Sequence, residues 1–254
     1  MPCTLIVLAH PEKQSFNSSW AQASAQASQA EGHEVMWSDL YALNFDPSEK
    51  ADNYASARQA GFFDVLKAQE AAADTNSLPE DVAQEIAKIR AADRIIFHFP
   101  IWWFAPPAIL KGWCDRVFVQ GALHTIDQRF DNGIFRGKTV LFCATTGANS
   151  AESAFNGKEG DVRMLLWPLA YTLRYIGFDV LEPRVLHGIH GYHEGANEVA
   201  LKARLTSELE GHAQTIAQFE SLPKIAFNAD TEFDAEGSLL PDAPSYSHFI
   251  RQKA

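Results

Sequence analysis

Residues Phe97 to Val119 read FHFPIWWFAPPAILKGWCDRVFV, and the rest of the chain arranges itself around them. The run Arg94-Ile95-Ile96-Phe97-His98-Phe99 is an apolar strand that breaks at Pro100. Trp102, Trp103 and Phe104 follow, and Pro106-Pro107 then sets up a helix. Proline suits a first helical turn because the N–H it lacks would have no partner there. From Ala108 onward, Ile109, Leu110, Trp113, Val117 and Phe118 recur at helical spacing. The stretch therefore reads strand, aromatic loop, helix. Large aromatics more often form core than ligand walls, so a buried loop is the alternative. Against it, adjacent indoles leaving a strand point to opposite sides and are hard to bury together. An exposed apolar wall at a strand's carboxyl end is where open α/β sheets take ligands.

Working outward, Thr4–Ala9 (TLIVLA) is a short continuous apolar run of the buried parallel type. A long Ala/Ser/Gln helix follows it to about Ala30, with Ser15 or Asn17 placed to cap it and Gly32 ending it. Strands are predicted at Glu34–Ser38 and Thr139–Ala144, and at Phe178–Leu186 broken by Pro183. Helices are predicted near Ala55–Ala72, from Pro79 to Ala91, over Val162–Ile176 and from about Asn197 to Phe219. Strands alternating with helices at this spacing imply a doubly wound α/β fold with a five-stranded parallel sheet. The order 2-1-3-4-5 brings the loops after strands one, three and four to one crevice.

Composition bounds the function. The chain has 254 residues, of which 46 % are hydrophobic and 21 % charged, ordinary values for a globular protein. A formal net charge of −11 argues against a nucleic-acid groove or an anionic membrane surface as partner. It allows a phosphate-bearing cofactor held by backbone N–H groups. Cys3, Cys114 and Cys143 give neither a disulfide framework nor zinc spacing, which fits reduced thiols in a cytoplasmic protein. The opening MPCTLIVLAHPE lacks a basic leader, and no run is long enough to span a membrane. From Ser221 the chain is Pro-dotted and acidic, yet keeps Phe227, Phe233, Leu240, Tyr246 and Phe249. That pattern suggests division into a domain over 1–220 and an arm over 221–254, packed on the domain or on a partner subunit.

Three loops carry the chemistry. The first, with Gln14, Ser15 and Asn17 at a helix start, suits an anion, although plain capping explains it equally. The second supplies the aromatic wall. The third, Thr145-Thr146-Gly147-Ala148-Asn149-Ser150, offers hydroxyls and closely spaced N–H groups to an edge rich in carbonyls and ring nitrogens. A phosphate site, a stacking wall and a donor edge together describe a flavin site. His187, His190 and His193 (HxxHxxH) could supply two or three metal ligands, but no fourth can be read, so no metal is expected.

The segments LIVLAHPEKQSFN, SDLYALNFDP, FHFPIWWFAPPAILKGWCDRVF, TTG followed by GDV, LLWPL and GFDVLEP resemble, in order, the NAD(P)H:quinone oxidoreductase (DT-diaphorase) family of the flavodoxin-like fold. The resemblance implies FAD in preference to FMN, NAD(P)H as co-substrate, and a quinone or similar planar acceptor. It also implies a homodimer with active sites at the subunit interface. Residue by residue, it sets His10, Ser15, Phe16 and Asn17 against the pyrophosphate, and Pro100, Ile101, Trp102, Trp103 and Phe104 against the ring system. Thr145, Thr146, Gly147 and Ala148 fall at the pyrimidine edge and Ile189 near the adenine. Trp103, Phe104, Gly147, Ser153 and Glu159 are the catalytic candidates. Two departures stand out. Where the family has a Tyr and a His after the TTG turn, this chain has Ser153 and Glu159, and a carboxylate there opposes developing negative charge. Backbone N–H groups and Lys158 are candidate substitutes. In the substrate wall, two family tyrosines are replaced by His124 and Ile126. The implied reaction is a ping-pong relay of hydride from NAD(P)H through the flavin to the acceptor. A flavodoxin-type electron carrier and a flavin-bearing regulatory subunit of a potassium-efflux system remain as alternatives.

Overall fold

The computed structural model describes residues 1–54 and 61–253. Strands β1 (Cys3–Leu8), β3 (Arg94–Pro100) and β4 (Thr139–Thr145) are buried along their full length, as unbroken apolar runs must be at the centre of a covered parallel sheet. β2 (Glu34–Asp39) lies outside β1, and the order is β2-β1-β3-β4-β5. The expected sheet order is therefore present, with one addition. The predicted fifth strand is two short strands, β5 (Asp179–Val180) and β6 (Arg184–Leu186), both paired to β4. Pro183 lies between them, where a missing N–H interrupts a ladder. Pro100 closes β3 instead of preceding the loop, its partner in register being Thr145.

Helices cover both faces. α1 (Phe16–Ala30) and α6 (Ala196–Ala217) pack on one, burying Trp20, Ala21, Ala25 and Ile216 against Ile6, Ile96 and Leu141. α3 (Glu80–Ala91), α4 (Ala108–Val117) and α5 (Val162–Tyr175) cover the other through Val82, Ile86, Leu110, Trp113, Leu166 and Leu169. Strand side chains alternate between these two cores, Ile6 and Ile96 to one and Leu5 and Ile95 to the other. The helix expected near Ala55–Ala72 is α2, Val65–Asp74. It is capped by the Asp64 side chain, which accepts from Lys67 N–H at 3.2 Å; residues 55–60 lie outside the described residues. The prolines of the decisive stretch precede the helix, with Pro107 as the N-cap of α4. All three cysteines are free and buried. Among the described residues no helix is long and apolar enough to cross a membrane.

A polar chain runs through the α1 face. Trp20 Nε1 donates to His212 Nδ1 (3.1 Å), and the Ser24 hydroxyl bridges His212 Nε2 (2.6 Å) and His98 Nε2 (3.0 Å). Burial lowers the pKa of both imidazoles, to about 4 for His212 and well below the ordinary range for His98. Both are therefore neutral in the fold. Nothing in the sequence spacing announces this link, whose members lie 74 and 188 positions from Ser24.

The C-terminal segment lies along the same molecule. Ile225 N–H donates to Val180 O (2.8 Å), and Glu182 N–H to Pro223 O (2.8 Å), extending the sheet edge. Beyond it, Phe249 stacks on Trp167 with ring centroids 4.6 Å apart, and Phe227 meets Tyr171 at 5.8 Å.

Candidate active site

The three loops meet at the carboxyl ends of β1, β3 and β4. Specific bonds tie them together. Thr145 Oγ1 donates to Asn17 Oδ1 (2.8 Å), linking the first turn of α1 to the end of β4. Ile101 N–H donates to Thr145 O (2.7 Å), joining the aromatic loop to the same residue. The His10 ring lies 5.9 Å from that of Trp102. The segment after β6 closes the group, with Gly188 N–H on Ala148 O and Ile189 N–H on Thr146 O, each 2.9 Å.

The first loop is well ordered by local chemistry. Glu12 N–H donates to His10 Nδ1 (3.0 Å), which leaves Nε2 to carry the proton of the neutral ring. Burial lowers the His10 pKa. Ser15, not Asn17, is the N-cap of α1, its hydroxyl accepting from Ser18 N–H (3.1 Å). Asn17 instead is buried: its Oδ1 holds Thr145 while its Nδ2 has no partner. The N–H groups of Phe16 and Asn17, left over by helix geometry, are also unpartnered among the described residues. The two backbone N–H groups and the neutral His10 imidazole N–H are donors offered in this loop, a set that fits a phosphate, whereas Asn17 Nδ2 is buried.

The second loop departs from expectation in its backbone. Trp102 and Trp103 do not alternate along a strand. Trp102 and Ala105 bridge one another (N···O 2.9 and 3.1 Å), and Trp103 and Phe104 form the two central residues of that tight turn. Both have positive φ, +49° and +62°, the primed-turn geometry normally given to Asn-Gly. Bulky side chains in this region are strained by about 1–3 kcal/mol each. The turn lifts Trp103 clear of the protein, 94 % exposed, with Phe104 about half exposed.

The third loop begins in β4 and bends at Gly147 and Ala148. A side chain at Gly147 would meet nothing of the protein nearer than Ile189 O at 3.9 Å, so that space belongs to the crevice. The Gly147 N–H has no partner among the described residues, while Ala148 N–H leans on Thr146 Oγ1 (3.3 Å).

Three cavities share these walls. One of about 510 Å³ lies between Pro100–Trp103, Thr145–Gly147 and Ile189. A second, about 380 Å³, lies on the other side of Trp103, with Phe104, Gly147, Ala148, Ser153 and Glu159. A third, about 700 Å³ and mostly apolar, runs from Phe104 between α4 and α5 to His124 and Tyr175. Pro100, Ile101, Trp102, Trp103, Thr145, Thr146, Gly147 and Ile189 of the candidate cofactor residues line the first cavity, whereas Phe104 and Ala148 line the second, and His10, Ser15, Phe16 and Asn17 lie in the first loop and at the α1 start. Leu165, Pro168 and Tyr175 of α5 are wall residues that sequence reasoning missed. The sequence predicts a helix there without saying which edge is used, and only docking of α5 beside Phe104 turns these residues to the cavity. Ser153 is buried, and its backbone is bound to Asn149 and Val162. Lys158 is bonded to Glu152 (3.0 Å) instead of facing the crevice. His124 Nε2–H donates to Phe118 O (3.1 Å) and lines the third cavity, whereas Ile126 is exposed and lines none of the three. The histidines of the 187–193 loop are not gathered as ligands: His190 and His193 stack at 3.9 Å, and His193 Nε2 bonds Gly188 O. No cluster of three or more metal-binding side chains occurs among the described residues.

Comparison with known proteins agrees with this geometry. Residues 3–209 match the model of a family described as flavodoxin-like fold. The chain is 40 % identical over 187 residues to NAD(P)H dehydrogenase [quinone] 1 of Rattus norvegicus, covering 73 % of this chain and 68 % of the relative. It is 39 % identical over 183 residues to ribosyldihydronicotinamide dehydrogenase [quinone] of Homo sapiens, covering 71 % and 79 % respectively. A crystal structure of a putative quinone reductase from Klebsiella pneumoniae superposes with a TM-score of 0.85 at 27 % identity, over 95 % of each chain. With its sheet order, its three converging loops and these relatives, the chain belongs to the NAD(P)H:quinone oxidoreductase family of the flavodoxin-like fold.

Proposed function

We propose that this protein is a flavin-dependent NAD(P)H:quinone oxidoreductase that carries FAD, works as a homodimer and acts in the cytoplasm. The observation that supports it most is the junction at Thr145, where an anion-type helix start, an aromatic turn and a free-donor turn are held together by hydrogen bonds. When bound, the flavin supplies two-electron hydride chemistry between a nicotinamide and a planar acceptor. The chain supplies binding, orientation and exclusion of water. Phe16 and Asn17 N–H and the His10 Nε2–H hold the pyrophosphate without a basic residue. Pro100, Ile101 and Trp102 back the ring system, and Trp103 and Phe104 form the slot in which nicotinamide and acceptor stack by turns. Thr145, Thr146, Gly147 and Ala148 address the polar edge, and Ile189 borders the nucleotide side. The Gly147 N–H takes over the charge-stabilising part that Ser153 and Glu159 are ill suited to play. FAD is preferred over FMN on the family relationship. The exposed aromatics Trp103 and Phe104 beside an apolar cavity suit burial by a second copy, and residues 221–254 act as an arm that braces α5.

The purified protein should be yellow, bleach anaerobically with NADH or NADPH, and recover its absorbance on addition of a quinone. A protein that stays colourless after incubation with FAD or FMN would remove the reading. Initial rates should give parallel double-reciprocal lines, since one slot serves both substrates; converging lines would place them in separate slots. Sedimentation should give twice the chain mass.

A further inference from the structure

The cavity of about 380 Å³ beyond Trp103 has a second property. Its lining includes two acidic side chains, Glu152 and Glu159, and no lysine, arginine or histidine. The two are not equivalent. Glu152 is engaged, with Oε1 3.0 Å from Lys158 Nζ and Oε2 accepting from Asn149 N–H at 3.2 Å. Glu159 is half-buried, and its side chain makes no hydrogen bond or ion pair among the described residues; Lys158 is bonded to Glu152 and reaches Glu159 only through the weaker pull of its charge. Its backbone N–H donates to Glu152 O (3.0 Å), which fixes it at the cavity wall opposite Trp103 and Phe104. An unpaired carboxylate on the wall of an aromatic slot acts on whatever stacks there. A like charge is repelled and an opposite charge attracted, more strongly where the rings exclude water. The net charge of −11 adds a weaker field of the same sign.

We propose that Glu159 sets the charge specificity of the acceptor slot: neutral and cationic planar acceptors are taken, and anionic ones are excluded. Resting on the quinone-reductase reading only for the identity of the ligand as a planar acceptor, this makes Glu159 a specificity-determining residue. Its role is not to promote transfer to the ring but to select which ring enters.

The test measures binding without turnover. Three naphthoquinones that share a ring, one neutral, one sulfonated and one bearing a trimethylammonium group, are titrated into the oxidised, flavin-loaded protein with no reductant present. Dissociation constants are read by calorimetry. The sulfonate should bind about tenfold more weakly than the cation, a difference of about 1.4 kcal/mol. Glu159→Gln, which keeps size and removes charge, should bring the ratio close to one. Raising the salt should narrow the wild-type ratio through screening. If Glu159→Gln fails to hold flavin, Glu159→Ala is read in its place, because salt also screens the field of the net charge. An equal ratio in wild type and variant, a sulfonate preference, a salt-independent ratio, or no binding of any of the three overturns the proposal. Charge-selective binding without quinone turnover would leave the specificity standing and remove the reductase reading instead.

Discussion

The loop that opens α1 and the turn at Trp103–Phe104 border one crevice but are built on opposite principles. From His10 to Ser18 the backbone is unstrained and locally bonded, apart from the donors left at the helix start. Ser15 caps the helix, Glu12 accepts from Gln14 and Ser18, and no residue there has positive φ. At Trp103 and Phe104 the chain accepts two left-handed, bulky residues and leaves both rings partly or wholly in solvent. The first region can stabilise the fold with or without a ligand. The second costs folding energy and gains little from its own packing, Trp103 least of all, so its arrangement is explained by what stacks on it. Capping and binding are thus confounded at the first loop and separable at the second.

That contrast can be broken in graded steps. The largest effect concerns the footing of α1. His212, with a pKa of about 4 in the fold, binds fewer protons than in the unfolded chain between about pH 6.5 and 4, and His98 acts in the same direction. Stability therefore rises with pH through that window, is fully present above the unfolded value near 6.5, and is lost as pH falls towards 4. His212 alone accounts for about 3 kcal/mol, so thermal unfolding at pH 4.5 should occur roughly 5–10 °C below that at pH 7. A flat profile would mean that the imidazoles are not buried neutral.

Next in size is Asn17→Ala. It strips the buried Thr145 hydroxyl of its acceptor, and should cost about 1–2 kcal/mol in denaturant unfolding together with a weaker flavin dissociation constant. Loss of flavin affinity with unchanged stability would show that the Asn17–Thr145 bond does not join the two loops.

Trp103→Ala should lower kcat/KM for quinone about tenfold, the loss of one stacking contact, while leaving flavin content and stability unchanged. Simultaneous loss of flavin would place that ring on the cofactor instead of the acceptor. The smallest effect has the opposite sign. Phe104→Gly relieves one left-handed residue and should raise stability by about 1 kcal/mol while reducing acceptor binding. A destabilised Phe104→Gly would mean that the turn is held by packing after all.

Much of this was legible in the chain because it rests on short-range rules. TLIVLA and RIIFHF announce buried parallel strands by being apolar without alternation, and their spacing with intervening helices leaves little choice of sheet order. The crevice follows from that order, since loops after β1, β3 and β4 must gather at one end. The split of the last strand was visible as Pro183, though not its consequence, a second short strand that rejoins β4. Less legible were features that depend on two distant segments meeting. Ser15 and Asn17 look alike as caps until Thr145 arrives and takes Asn17.

The sequence by itself determined the class of fold, the place of the site and the residue types that line it, because hydrophobic period, proline position and loop chemistry are local properties of the chain. Only the tertiary structure decided that Trp103 stands in solvent on a strained turn and that Lys158 is taken by Glu152. It also decided that Glu159 lines the slot with no hydrogen-bonded partner among the described residues, and that Trp20, Ser24, His98 and His212 form one buried chain. The buried chain is settled by long-range packing, whereas the turn and the Lys158–Glu152 pair close within a few residues, through loop geometry that residue type alone does not announce.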